Sequence, residues 1–90
     1  MMFKKKVEGQ FKGNTFMVVN SWSDGLKLFH NEELLEHNKD LFSVNKNKPV
    51  ITKTVVIENK ENQVDVYVKA IFTVKIMVKV GGEKIAGDDF

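Results

Sequence analysis

Cysteine is absent from the sequence, which removes disulfide staples and thiolate metal sites from consideration and fits a reducing compartment. Arginine is absent too: all 14 basic residues are lysine. Arg forks onto guanine edges and paired phosphate oxygens, whereas Lys acts as a point charge. This composition argues against base-specific reading of a duplex and against an arginine finger, but not against non-specific contact with a charged backbone. An AT-rich coding sequence would leave the same lysine bias, and the physical consequence is unchanged. Proline occurs once, at Pro49, and tyrosine and tryptophan once each, at Tyr67 and Trp22. No apolar run approaches the ~18 residues of a membrane span. The basic Lys4-Lys5-Lys6 start is followed by no continuous apolar stretch of the kind a signal peptide carries. The expected setting is the cytoplasm, without membrane attachment.

What is present is a chain of 90 residues with a net charge of +2, the length of one domain. Charge is segregated. Residues 41–80 hold seven Lys against Glu58, Glu61 and Asp65, whereas His30 to Asp40 and the segment after Val80 are acidic. No internal repeat or low-complexity tract is visible.

Alternation predicts strands over Phe3–Phe11, Thr15–Asn20 and Leu26–Phe29, separated by turn signals at Lys12-Gly13-Asn14 and Ser23-Asp24-Gly25. Asn31 reads as a helix cap, Glu32 and Glu33 as first-turn anions, and Leu34, Leu35, Leu41 and Phe42 as one apolar stripe. A helix is expected there, ending near Phe42, with a polar loop from Ser43 to Pro49. Val50–Ile57 reads as a strand and Glu58–Gln63 as its turn, with Ile57 facing Val64. From Val64 to Val80 every even position is apolar. Seventeen residues would span roughly 56 Å, too far for a domain whose radius of gyration should be about 12 Å. The last strand is expected to bend.

The element order is thus β-β-β-α-β-β over residues 1–80, with 81–90 as a short flexible acidic tail. That order resembles the OB-fold, a five-stranded barrel, and the fold class expected is mostly β with one helix. The chain also ends Gly87-Asp88-Asp89-Phe90, which resembles the acidic, Phe-ended tip of bacterial and phage single-stranded DNA-binding proteins. The resemblance implies an OB-fold protein of that type, with Asp88, Asp89 and Phe90 docking on a replication or host protein. It departs from the pattern in having only two Asp, no proline before Phe90 and a short linker.

Chemistry points the same way. Odd positions of the long strand carry Asp65, Tyr67, Lys69, Ile71, Thr73, Lys75, Met77 and Lys79. Lysines that track phosphates, interleaved with a ring that stacks a base, suit single-stranded DNA or RNA. Lys4, Lys5, Lys6, Lys53, Lys69, Lys75 and Lys79 are the expected phosphate contacts, and Tyr67 and Trp22 the expected stacking rings. Phe11 and Phe16 read as core, and Trp22 could equally seal the barrel end. His30, Glu33 and His37 share a face of the expected helix but match no metal motif; a solvated face explains them. There is no Ser-His-Asp arrangement and no Gly-rich phosphate loop. No enzyme, metal or cofactor is expected. The function expected is a sequence-nonspecific single-strand binder, such as a viral or mobile-element replication accessory. The alternative is a protein-interaction module, a phage-encoded inhibitor or assembly subunit, that uses the long strand to self-associate as a homo-oligomer or to add to a partner's sheet.

Overall fold

The computed structural model describes residues 4–21, 24–39, 48–70 and 74–89. They form β1 (Lys4–Phe11), β2 (Asn14–Ser21), β3 (Gly25–His30), β4 (Glu33–Asn38), β5 (Ile51–Ile57), β6 (Lys60–Ala70), β7 (Val74–Val80) and β8 (Glu83–Gly87), with no helix among them. The strands make two antiparallel meanders, β1-β2-β3-β4 and β5-β6-β7-β8. No hydrogen-bonded ladder among the described residues joins one sheet to the other, so the expected five-stranded barrel with one helix is replaced by an open pair of four-stranded sheets.

The helix is the first correction. Asn31 and Glu32 carry φ angles of 47° and 72°, the paired left-handed conformation that a two-residue hairpin turn requires. Asn31 also closes the turn onto β2. Its N–H donates to the Thr15 carbonyl at 2.8 Å, and its side-chain oxygen accepts from the Thr15 N–H at 2.8 Å. The same small amide that caps a helix thus builds a hairpin. The consecutive leucines follow from a β-bulge: Leu28 pairs Glu36 and Phe29 pairs Leu34, leaving Leu35 as the extra residue. Leu35 packs on the core while Leu34 faces out, 48% exposed. Leu41 and Phe42 lie outside the described residues.

The second correction is the long strand. β6 and β7 form a hairpin in which Val64 pairs Val80 and Ala70 pairs Val74. Residues 71–73 connect them, and an odd connection preserves the parity of both strands. The apolar alternation therefore passes through the turn unbroken and is indistinguishable in sequence from one strand. The molecule measures 40 × 25 × 18 Å with a radius of gyration of 12.4 Å, so a straight seventeen-residue strand would overrun it. The β5–β6 turn is also tighter than expected: Glu58 and Asn59 are its two left-handed residues, and Ile57 pairs Lys60 rather than Val64. That shift of four leaves the apolar faces in agreement.

The segment after Val80, expected as a tail, contains β8. Gly81 and Gly82 form its two-residue turn, again with both φ positive. A second bulge leaves Ile85 extra between the pairs Val78–Ala86 and Lys79–Lys84. The two meanders thus share strand number, turn order and the position of the bulge, a likeness of topology that the residues themselves do not display.

One apolar core fills the space between the sheets. Phe16, Val18, Leu26 and Leu28 come from the first, and Ile51, Val55, Ile57, Val64, Val66, Val68, Ile76, Val78, Val80 and Ala86 from the second. Fully burying each large side chain contributes roughly 1.5–3 kcal/mol. β1 lies against β8, and Gly9 makes that approach possible: a Cβ there would stand 2.2 Å from the Ile85 carbonyl oxygen. Ion pairs fasten the joins between sheets. Lys5 meets Asp88 at 2.7 Å beside β8, Lys53 meets Glu36 at 2.8 Å beside β4, and Lys12 meets Glu58 at 3.8 Å between turns.

Candidate nucleic-acid interface

The outer face of the second sheet gathers four of the expected site residues. Tyr67 pairs Met77, Lys69 pairs Lys75, and Asp65 pairs Lys79, which in turn pairs Lys84. All these positions have the parity opposite to the buried valines, so the sheet pleat turns them outward. The Lys79 ammonium lies 5.5 Å from the Tyr67 ring centroid, within reach of a cation–π attraction. Asp65 is buried and is tied down by neighbours on its own sheet. It accepts from the Thr52 hydroxyl at 2.9 Å and from the Gln63 amide at 3.0 and 3.1 Å. Those donors occupy the carboxylate, and Lys79 makes no ion pair with it. Lys69 and Lys75 stand directly opposite each other, and neither has a carboxylate within ion-pair distance among the described residues. Like charges placed so destabilise a sheet. From Lys69 to Lys79 the basic strip runs about 14 Å along the strand direction.

The other expected residues do not join this face. Lys5 and Lys53 are held in the two joins between sheets by Asp88 and Glu36. Lys6 is on the outer face of the first sheet, opposite Val19, and Lys4 opens β1 opposite Ser21. Trp22 and Phe90 lie outside the described residues. Asp88 is part of the fold: its N–H donates to the Ile76 carbonyl at 2.7 Å, and its carboxylate accepts from the Ile76 N–H at 2.9 Å. The Lys5 ammonium, with that N–H, holds the Asp88 carboxyl below the usual carboxylate range. Asp89 pairs with Lys84. His30 and His37 sit on different strands: His30 stacks on Phe16, and His37 meets the Asp24 carbonyl. No group of His, Cys, Asp and Glu suited to a metal ion occurs among the described residues.

Two further features went unread in the sequence. A cleft of about 350 Å³ opens beside β4 and β5, lined by Glu36, His37, Asn38, Val50, Ile51 and Thr52; Lys53 lowers the pKa of Glu36 there. The outer face of the first sheet carries an apolar cluster, Met17, Val19, Phe29 and Leu34, bordered by Lys6, Glu8, Lys27 and His37. The continuous run Phe16-Met17-Val18-Val19 was its signal, since a strand apolar on both faces is covered on both or offers one. The described residues contain no helix long and apolar enough to cross a membrane. No family model, curated protein or solved structure matches the chain.

Proposed function

We propose that the protein binds single-stranded nucleic acid without sequence preference, in the cytoplasm, through the outer face of its second sheet. The observation that carries this reading is the opposed pair Lys69 and Lys75 beside the Lys79-capped ring of Tyr67. A sheet selected for stability alone would place opposite charges across that pair. Two opposed ammonium groups, neither held in an ion pair among the described residues although Lys75 also acts on Asp88 at longer range, instead suit a ligand that brings its own negative charge. The half-buried ring of Tyr67 beside them is the aromatic surface on which a base would stack. The reading does not use the tip residues Asp88 and Asp89, whose carboxylates already have partners within the chain.

Salt dependence tests it. Three phosphate contacts, at Lys69, Lys75 and Lys79, give a slope of log Kobs against log[salt] of about −2 for a single strand. Lys69→Ala should reduce that slope by about 0.7, and Tyr67→Ala should weaken binding by about 1–3 kcal/mol. Wild-type affinity for oligo(dT) that ignores salt, or is untouched by both substitutions, would overturn the proposal. β6 and β7 each have neighbours on both sides, so neither offers a free edge for strand addition.

A further inference from the structure

The two meanders place chemically different rows on equivalent outer positions. Beside its bulge the second sheet presents the row Thr52–Asp65–Lys79–Lys84. In the first sheet the corresponding row is Glu8–Met17–Phe29–Leu34. The next row across the first sheet is Lys6–Val19–Lys27–His37. The first sheet thus carries Met17, Val19, Phe29 and Leu34 on its outer face, with Lys27 among them and Lys6 and Glu8 side by side at one edge.

We infer that this apolar face pairs two copies of the chain about a two-fold axis. The axis lies in the contact plane, runs across the strands and passes between the two rows. Such an axis lays each row on the other row of the second copy. Lys6 then meets Glu8 of the second copy, twice by symmetry. Val19 meets Met17 of the second copy, and the Lys27 ammonium lies over the ring of Phe29 of the second copy. An axis along the strands would instead set Glu8 over Leu34 and Lys6 over His37, wasting both charges. The charge pattern thus selects a second copy in one orientation, as an isologous contact requires. Size agrees: four strands about 4.8 Å apart, each about six residues long, present roughly 400 Å² of flat area per copy. With side-chain relief on both copies, the accessible area covered comes to about 1,000 Å², the lower bound for a specific interface. This inference does not depend on what the other face binds. If both hold, the pair carries two basic faces directed away from each other.

Sedimentation velocity over a concentration series, with circular dichroism to verify the fold of each variant, tests it. The full chain should sediment at twice its 10.3 kDa mass. Lys6→Glu and Glu8→Lys should each weaken the pairing about tenfold by setting like charges in contact. The double variant Lys6→Glu/Glu8→Lys should restore it, because the swapped charges meet again across the axis. Phe29→Glu should leave monomers; should it unfold, the charge series stands alone, since Lys6 and Glu8 are exposed on the strand surface. A wild-type chain that stays monomeric throughout overturns the inference. So does a double variant that pairs no better than either single one.

Discussion

Adding one methyl group at Gly9 tests whether the join between β1 and β8 is structural. The Cβ of Gly9→Ala would lie 2.2 Å from the Ile85 carbonyl oxygen, 2.8 Å from the Ile85 carbonyl carbon and 2.9 Å from the Ala86 Cβ. The first two are backbone atoms, fixed by the bulge that makes Ile85 the extra residue of β8. No side-chain rotation relieves them. An ordinary contact needs about 3.5 Å, so β1 must move outward by roughly 1 Å. Overpacking of this kind costs about 1–3 kcal/mol. For a domain of this size that lowers Tm by about 4–8 °C for each kcal/mol. The Lys5–Asp88 pair spans the same join at 2.7 Å, and the shift would lengthen it. Urea unfolding followed by circular dichroism measures the cost. Nuclear magnetic resonance titration of the Asp88 carboxyl reads the same event locally, as a pKa that rises toward the ordinary aspartate value. Gln10→Ala, on the exposed side of the same strand, serves as the control. A Gly9→Ala midpoint within experimental error of wild type, with the Asp88 pKa unmoved, would refute the close approach of β1 to β8.

Three other perturbations have definite outcomes. Asn20 faces the core at the position that Val68 holds in the second sheet, and its side-chain oxygen is buried without a hydrogen-bond partner among the described residues; Asn20→Val should stabilise the fold by about 1–3 kcal/mol in urea titration. The Asp88 carboxyl is held below its unfolded pKa by Lys5 and the Ile76 N–H, so its stabilising share is complete above about pH 4 and is lost as pH falls through the lower folded value. Wild type should therefore weaken in acid more steeply than Asp88→Asn, as thermal melts between neutral pH and about pH 2 would reveal. Lys69→Glu should place opposite charges across the β6–β7 pair and raise stability by about 0.2–1 kcal/mol, while oligonucleotide binding measured by fluorescence anisotropy falls sharply. Greater stability with undiminished binding would separate that lysine from the ligand.

Particular residues show how far the sequence could be read. The first two strands were legible because Lys12-Gly13 is an unambiguous turn, and the inward parity of Val64 to Val80 was legible because every even position is apolar. The fold was misread where one pattern serves two geometries. Asn31 followed by two glutamates and two leucines satisfies a helix start, yet it also satisfies a hairpin turn with a bulge. Only the pairing of Asn31 with Thr15, sixteen residues away, decides between them. A three-residue connection at 71–73 hid a hairpin because it preserved parity. Of the candidate site, Tyr67, Lys69, Lys75 and Lys79 kept their shared face through that change, since two antiparallel strands of matched parity turn the same residues outward as one strand does. Lys5 and Lys53 left the site because their partners, Asp88 and Glu36, come from distant strands and no local pattern announces them.

Binding of a single-stranded nucleic acid on the outer face of β6 and β7 can be measured directly. Titration of the isotopically labelled chain with oligo(dT) at low salt, followed by amide chemical shifts, measures this residue by residue. The largest changes are expected at Tyr67, Lys69, Lys75, Met77 and Lys79, fading as salt is added, with the outer face of the first sheet silent. Changes centred on Met17, Val19 and Phe29, or no changes at all, would contradict it.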